Sequence, residues 1–252
     1  MRVKRSVALG MGGVAAAAAL GAASYAAYAG STWLRYGHPA APTKEEADAL
    51  LDRFMPRYHV AERHQIGVAA PREVTFAALM DMDLRDSRTI RAIFKGRELL
   101  LGANDAREPE VRGLVAVTKA LGWEVLAELP GREIVMGAVT QPWKANVVFR
   151  GLPPDEFTSF NEPGYVKIIW TLRADADGPH NSVARTETRV IATDAESRRK
   201  FRSYWARFSP GILLIRAISL RLVRKEAERR IPQRGSGSST EITVPPVAGT
   251  SM

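Results

Sequence analysis

Glu62 and His64 stand two residues apart in the stretch VAERHQIGV, whose apolar members Val60, Ile66 and Val68 share their parity. In a strand that parity places all five side chains on one face. A carboxylate and an imidazole then point together into whatever that face encloses, the pairing used for general acid–base chemistry. The same two residues also suit a strand that is leaving the core, so parity alone does not make them catalytic.

A second group lies in NSVARTETRVIATD, residues 181–194. One face of this run is Ser182, Ala184, Thr186, Thr188 and Val190; the other, Arg185, Glu187 and Arg189, reads as solvent-facing. The preceding strand-like run shows a filled face, because Val166, Ile168, Trp170 and Leu172 alternate against Lys167, Thr171 and Arg173. Two explanations fit the small, half-polar face. Thr186 and Thr188 can be the few placed polar groups of a cavity, or the small residues can make room for bulky Trp205 and Phe208 of the last helix.

Other chemistries find no support. The chain has no cysteine, which excludes thiol catalysis, disulfides, zinc fingers and iron–sulfur ligation. His38, His59, His64 and His180 lack metal-ligand spacing, so no metal site is expected. No cofactor is expected either: the glycines at 10–13 follow no strand and form no nucleotide loop. Asp81 and Asp83 read as cap or loop residues, and Ser236 sits in no nucleophile elbow.

The elements that must hold these residues can be read from period and punctuation. Residues 6–34 are uncharged and rich in Ala and Gly, behind Arg2, Lys4 and Arg5. As a helix of roughly 43 Å they are long enough for a ~30 Å hydrocarbon core. Residues 1–35 are therefore expected to be a transmembrane anchor, a single pass with the domain extracytoplasmic. The alternative is a secretory signal cleaved after Ala27-Tyr28-Ala29. Residues 36–57 form a linker with a short amphipathic helix, begun by a Thr43/Glu46 capping box and stopped at Pro56. Residues 58–231 hold a strand, two or three short helices from Pro71 to about residue 121, an antiparallel meander, and a long final helix from Asp194 kinked at Pro210. Residues 232–252 are Ser-, Gly-, Thr- and Pro-rich and expected to be disordered. The order argues for α+β.

The charge is localised. Residues 195–234 hold twelve Lys or Arg and three acids, which accounts for the whole-chain excess of +9. A solvated helix face explains this better than nucleic-acid binding, since no aromatic or Gly-rich interleaving accompanies it.

IGVAAPREVTFAAL near the start, YVKIIWTLRADADGPHNSVARTETRV late, and the long terminal helix together resemble the SRPBCC superfamily, the START-like and birch-pollen-allergen-like helix-grip domains, over residues 58–230. The resemblance implies a curved antiparallel sheet gripping the C-terminal helix, with an apolar ligand between them and no shared catalytic motif. It also implies that the loop holding Trp143, in TQPWK, lies near a pocket mouth; an edge residue packed on the sheet is the other reading. The expected function is a membrane-associated binding protein for a hydrophobic small molecule or lipid. Its expected lining is Trp143, Ile168, Trp170, Thr186, Thr188, Trp205 and Phe208, with the membrane met through residues 6–34 and no nucleic-acid partner. The alternative is a polyketide cyclase- or dehydratase-like enzyme in the same cavity, with Glu62 and His64 as acid and base.

Overall fold

Alternating stretches separated by Gly-containing turns build the sheet, and the computed structural model describes residues 2–102 and 110–231. Its strands are β1 (Val60–Val68), β2 (Glu124–Leu129), β3 (Glu133–Thr140), β4 (Phe149–Arg150), β5 (Val166–Ala176) and β6 (Ser182–Ala192). The order is β1-β6-β5-β3-β2, with the two-residue β4 beside β3, and every pairing is antiparallel. Gly131, at φ +70, supplies the left-handed turn residue between β2 and β3.

The helices are α1 (Arg2–Arg35), α2 (Ala49–Phe54), α3 (Arg72–Asp81), α4 (Arg88–Leu101), α5 (Leu114–Ala120), α6 (Pro154–Ser159) and α7 (Ala195–Arg230). Their ends follow local chemistry. Ser87 caps α4, and Gly102, left-handed at φ +65, closes it. Asp194 accepts from the amides of Glu196 and Ser197 to start α7, which continues through Pro210 as one helix. An antiparallel sheet with a long C-terminal helix across one face is a helix-grip α+β arrangement.

Helix α7 and α3 cover the inner face in two apolar clusters. One joins Val60, Val166 and Val190 of the strands to Tyr36, Phe201 and Trp205. The other joins Val68, Ile134, Met136, Trp170 and Leu172 to Phe76 and Leu79 of α3 and Leu220 and Val223 of α7. Each large side chain buried in them is worth roughly 1.5–3 kcal/mol relative to exposure. On the outer face Leu51 and Phe54 of α2 and Phe157 of α6 pack on Leu126, Val135, Val139 and Ile169.

Several expectations need correction. Arg185, Glu187 and Arg189 do lie on the face opposite α7, but that face is not wet: Glu187 is 5% and Arg189 1% exposed. The segment before β1 lies over them as a strap, its carbonyls at Glu45 and Ala47 accepting from Arg173 and that of Met55 from Arg189. Strand alternation reports two faces but not what a distant segment lays over one of them. Thr43 and Glu46 make their reciprocal capping bonds, yet around a turn; α2 starts later, capped by Asp48. Between β4 and β5 the chain also forms α6, with Pro154 at its first position, where a missing amide costs nothing.

The expected membrane pass is also overturned: among the described residues no helix is long and apolar enough to cross a membrane. The far end of α1 is instead fastened to α7. The Tyr25 hydroxyl donates to the Arg207 carbonyl at 2.5 Å. Arg202 donates to the Trp33 carbonyl at 2.7 and 2.9 Å, with its guanidinium 4.2 Å from the Trp33 ring centre. The tail from residue 232, Ser236 included, lies outside the described residues.

Candidate ligand-binding site

The inner face of the sheet brings together residues distant in sequence through strand register. In the β1–β6 ladder Glu62 pairs with Thr188 and His64 with Thr186. In the β6–β5 ladder Thr188 pairs with Trp170 and Thr186 with Leu172. Two rungs, separated by the outward-facing Arg63–Glu187 pair, therefore carry a carboxylate, an imidazole and two hydroxyls, between the two apolar clusters.

The space above the small residues is filled by a side chain that sequence reasoning missed, Arg216 of α7. Its Nη1 donates to Thr186 Oγ1 at 2.6 Å and its Nη2 to Thr188 Oγ1. Its Nε is buried with no partner, and so is Nε2 of His64. The residue as a whole is partly accessible, while burial pushes the guanidinium down to about 10, still charged at neutral pH. Burial, followed by the Arg216 charge, holds the His64 imidazole below its ordinary range and so neutral. Burial raises the Glu62 carboxyl, against the opposing pull of Arg216, Arg35 and Arg63. Glu62 and Arg216 feel each other's charge without an ion pair between them among the described residues.

A signal for Arg216 existed in helix phase. Phe201, Trp205, Leu220, Val223 and Ala227 are buried along α7, and Arg216 lies four residues before Leu220 and four after the partly buried Ile212. On that stripe an arginine is inward-facing. Among so many cations it reads as one more solvated charge.

The expected lining residues distribute along this face. Ile168 and Trp143 pack on the cluster that contains Trp205; Trp143 sits in the turn before β4 and is partly buried. Trp170 belongs to the other cluster and meets Trp123 edge-on, centroids 6.3 Å apart. Phe208 is half-buried and packs on Tyr204, ring centroids 4.9 Å apart. Ser182, at the end of the small face, bonds Thr75 of α3 at 2.7 Å and donates to the Ala70 carbonyl. That end of the face is closed by α3.

The outer face holds a different polar system. Arg189 donates to Glu187 at 2.7 Å and to Asp52 at 2.5 Å, and Glu187 also pairs with Arg63 at 3.0 Å. Arg173 meets Asp48 at 3.4 Å and Asp175 at 2.9 Å. Glu133, which accepts from Thr171 at 3.1 Å, is pushed up to about 8, by burial first and then by the neighbouring Asp48 carboxylate. Each of these buried guanidinium groups has a carboxylate beside it, which marks the group as structural rather than as a site.

No family model matches the chain, and no curated protein matches it. Solved structures of similar outline do. An aromatase/cyclase from a Streptomyces species is 16% identical, covering 70% of this chain and 98% of its own, with a TM-score of 0.23. A hypothetical protein of Helicobacter pylori is 7% identical over 75% of this chain and 98% of its own, TM-score 0.34. Norcoclaurine synthase from Thalictrum flavum is 11% identical over 77% of this chain and 100% of its own, TM-score 0.25. At these values the likeness is one of outline and does not extend to function.

Proposed function

We propose that this protein, as a member of the SRPBCC superfamily, binds a hydrophobic small molecule or lipid between the sheet and α7. The observation that carries the reading is the polar island of Arg216, Thr186 and Thr188 set between two apolar clusters on one face. Binding sites for apolar molecules combine such walls with a few oriented polar groups. Ile168, Trp170 and Trp205 supply wall, Thr186 and Thr188 the polar groups, and Trp143 and Phe208 the outer margin.

The experiment is native mass spectrometry of the full chain purified without detergent, followed by extraction of whatever accompanies it. The expected result is a co-purifying apolar molecule that disappears in the Thr186→Leu/Thr188→Leu double variant, whose fold is checked by circular dichroism. A ligand-free mass, with no uptake from a lipid extract, would overturn the reading.

A second reading, a polyketide cyclase- or dehydratase-like enzyme, is favoured by one observation: Glu62 and His64 converge on the same rungs as the two threonines. A buried neutral imidazole can take a proton at neutral pH, and a carboxyl whose affinity for a proton is raised can return one. Glu62→Gln is expected to keep the extracted molecule bound while stopping its conversion; conversion at the wild-type rate would remove the enzyme reading.

A further inference from the structure

The guanidinium of Arg216 is the place where the interior is electrically incomplete. It offers five N–H donors; two of its nitrogens meet neutral hydroxyls and Nε meets nothing. A cation held away from water is costly unless an anion and a full set of hydrogen bonds accompany it. The arginines of the outer face each have the anion, a carboxylate within 3.4 Å of Arg63, Arg173, Arg185 and Arg189, although the Nε atoms of Arg63 and Arg173 are also buried without a hydrogen-bond partner. For Arg216 no carboxylate is paired among the described residues; Glu62, whose carboxyl burial raises, acts on it through charge alone.

The second orphan nitrogen supports the same conclusion. His64 pairs across the ladder with Thr186, the threonine that holds Arg216 Nη1, and its Nε2 is buried without a partner. An imidazole in its neutral form has one N–H to give; carried on Nε2, it places donors from two facing elements beside one pair of hydroxyls. Planar, two-oxygen anions are what an arginine fork recognises best. Around this point the walls are apolar, with Val60, Val190 and Ile168 on one side and Leu172, Trp170 and Leu220 on the other.

We infer that the molecule bound between sheet and α7 is an apolar carboxylic acid, whose carboxylate is received by Arg216 with His64 beside it. This rests on the binding function proposed for the same face and names the chemical class of its ligand. Thr186 and Thr188 are then positioning residues, which hold the fork so that Nε is left to the ligand.

The test uses two probes of equal size and shape, naphthalene-2-carboxylate and naphthalene-2-carboxamide, titrated calorimetrically into the full chain at neutral pH. The acid is expected to bind at least ~10-fold more tightly than the amide, about 1.4 kcal/mol. Arg216→Met should remove that preference, and Arg216→Lys, which keeps the charge but not the fork, should retain part of it. Acid and amide binding alike, or a Met variant that still prefers the acid, would overturn the inference and leave the binding reading standing. Absence of binding by both probes would overturn the two together. Thermal melting of the Met variant separates a receptor from a strut: a melting temperature unchanged or higher is expected, and failure to fold would assign Arg216 to the core and sink the inference.

Discussion

Arg189 and Arg216 hold their guanidinium groups against opposite faces of one sheet, and the chain treats them in opposite ways. Arg189 has Glu187, Asp52 and the Met55 carbonyl as acceptors and the Tyr58 ring 4.7 Å from its guanidinium carbon. Arg216 has two hydroxyls and an idle Nε. The first arrangement is complete in itself and serves to fasten the strap over the sheet. The second is complete only with something added, and that difference separates a structural charge from a receptive one.

The comparison can be broken most forcefully at Arg189. Arg189→Ala removes one of the two cations beside Glu187, leaving Arg63, and releases the strap contacts at Asp52 and Met55, so a loss of about 3 kcal/mol, the low end for breaking a buried pair, is expected in urea denaturation. A change as small as that expected for Arg216→Met would erase the distinction drawn between the faces.

The next effect is a pH dependence under the strap. Glu133 is raised to about 8 in the folded chain, above the ~4.3 of an unfolded glutamate. Between those values the folded state binds the extra proton, so this group's stabilisation is full below the lower value and is lost as pH rises to the upper one. The slope can reach about 1.4 kcal/mol per pH unit. Unfolding free energies measured from pH 5 to 8 should fall more steeply for the wild type than for Glu133→Gln. Parallel curves would mean that the carboxyl is not held protonated beside Asp48.

The smallest effect is expected at the rim of the same network. Arg132 lies 3.5 Å from Asp175 with half its side chain exposed. Arg132→Ala should change stability by less than about 1 kcal/mol; a loss as large as that for Arg189→Ala would show that the outer charges act as one unit.

Much of the scaffold was legible because it is local. The parity of β1, β5 and β6 put Glu62, His64, Thr186 and Thr188 on one inner face, and Asp194 marked the start of the last helix. The strap was not legible, because Arg185, Glu187 and Arg189 alternate like solvent-facing charges and the residues that cover them come from more than a hundred positions away. Arg216 was hidden for a related reason, a single inward cation on a helix crowded with outward ones. The two explanations offered for the small face proved to be incomplete versions of one fact: it does make room for a side chain of α7, and that side chain is polar.

Strand β1 carries both faces in alternation, with Glu62 and His64 inward and Ala61, Arg63 and Gln65 outward in register with Arg189, Glu187 and Arg185. A slip of one residue against β6 would exchange the two sets, placing Arg63 among the threonines beside Arg216 and a histidine or glutamate where Glu187 now meets a cation. The first result sets like charges together in a buried space, and the second takes a cation away from Glu187. The pairing of opposite charges outside thus acts as a vernier that locks the alignment of the groups inside, so the geometry of the site is set to a single residue by contacts that no ligand touches.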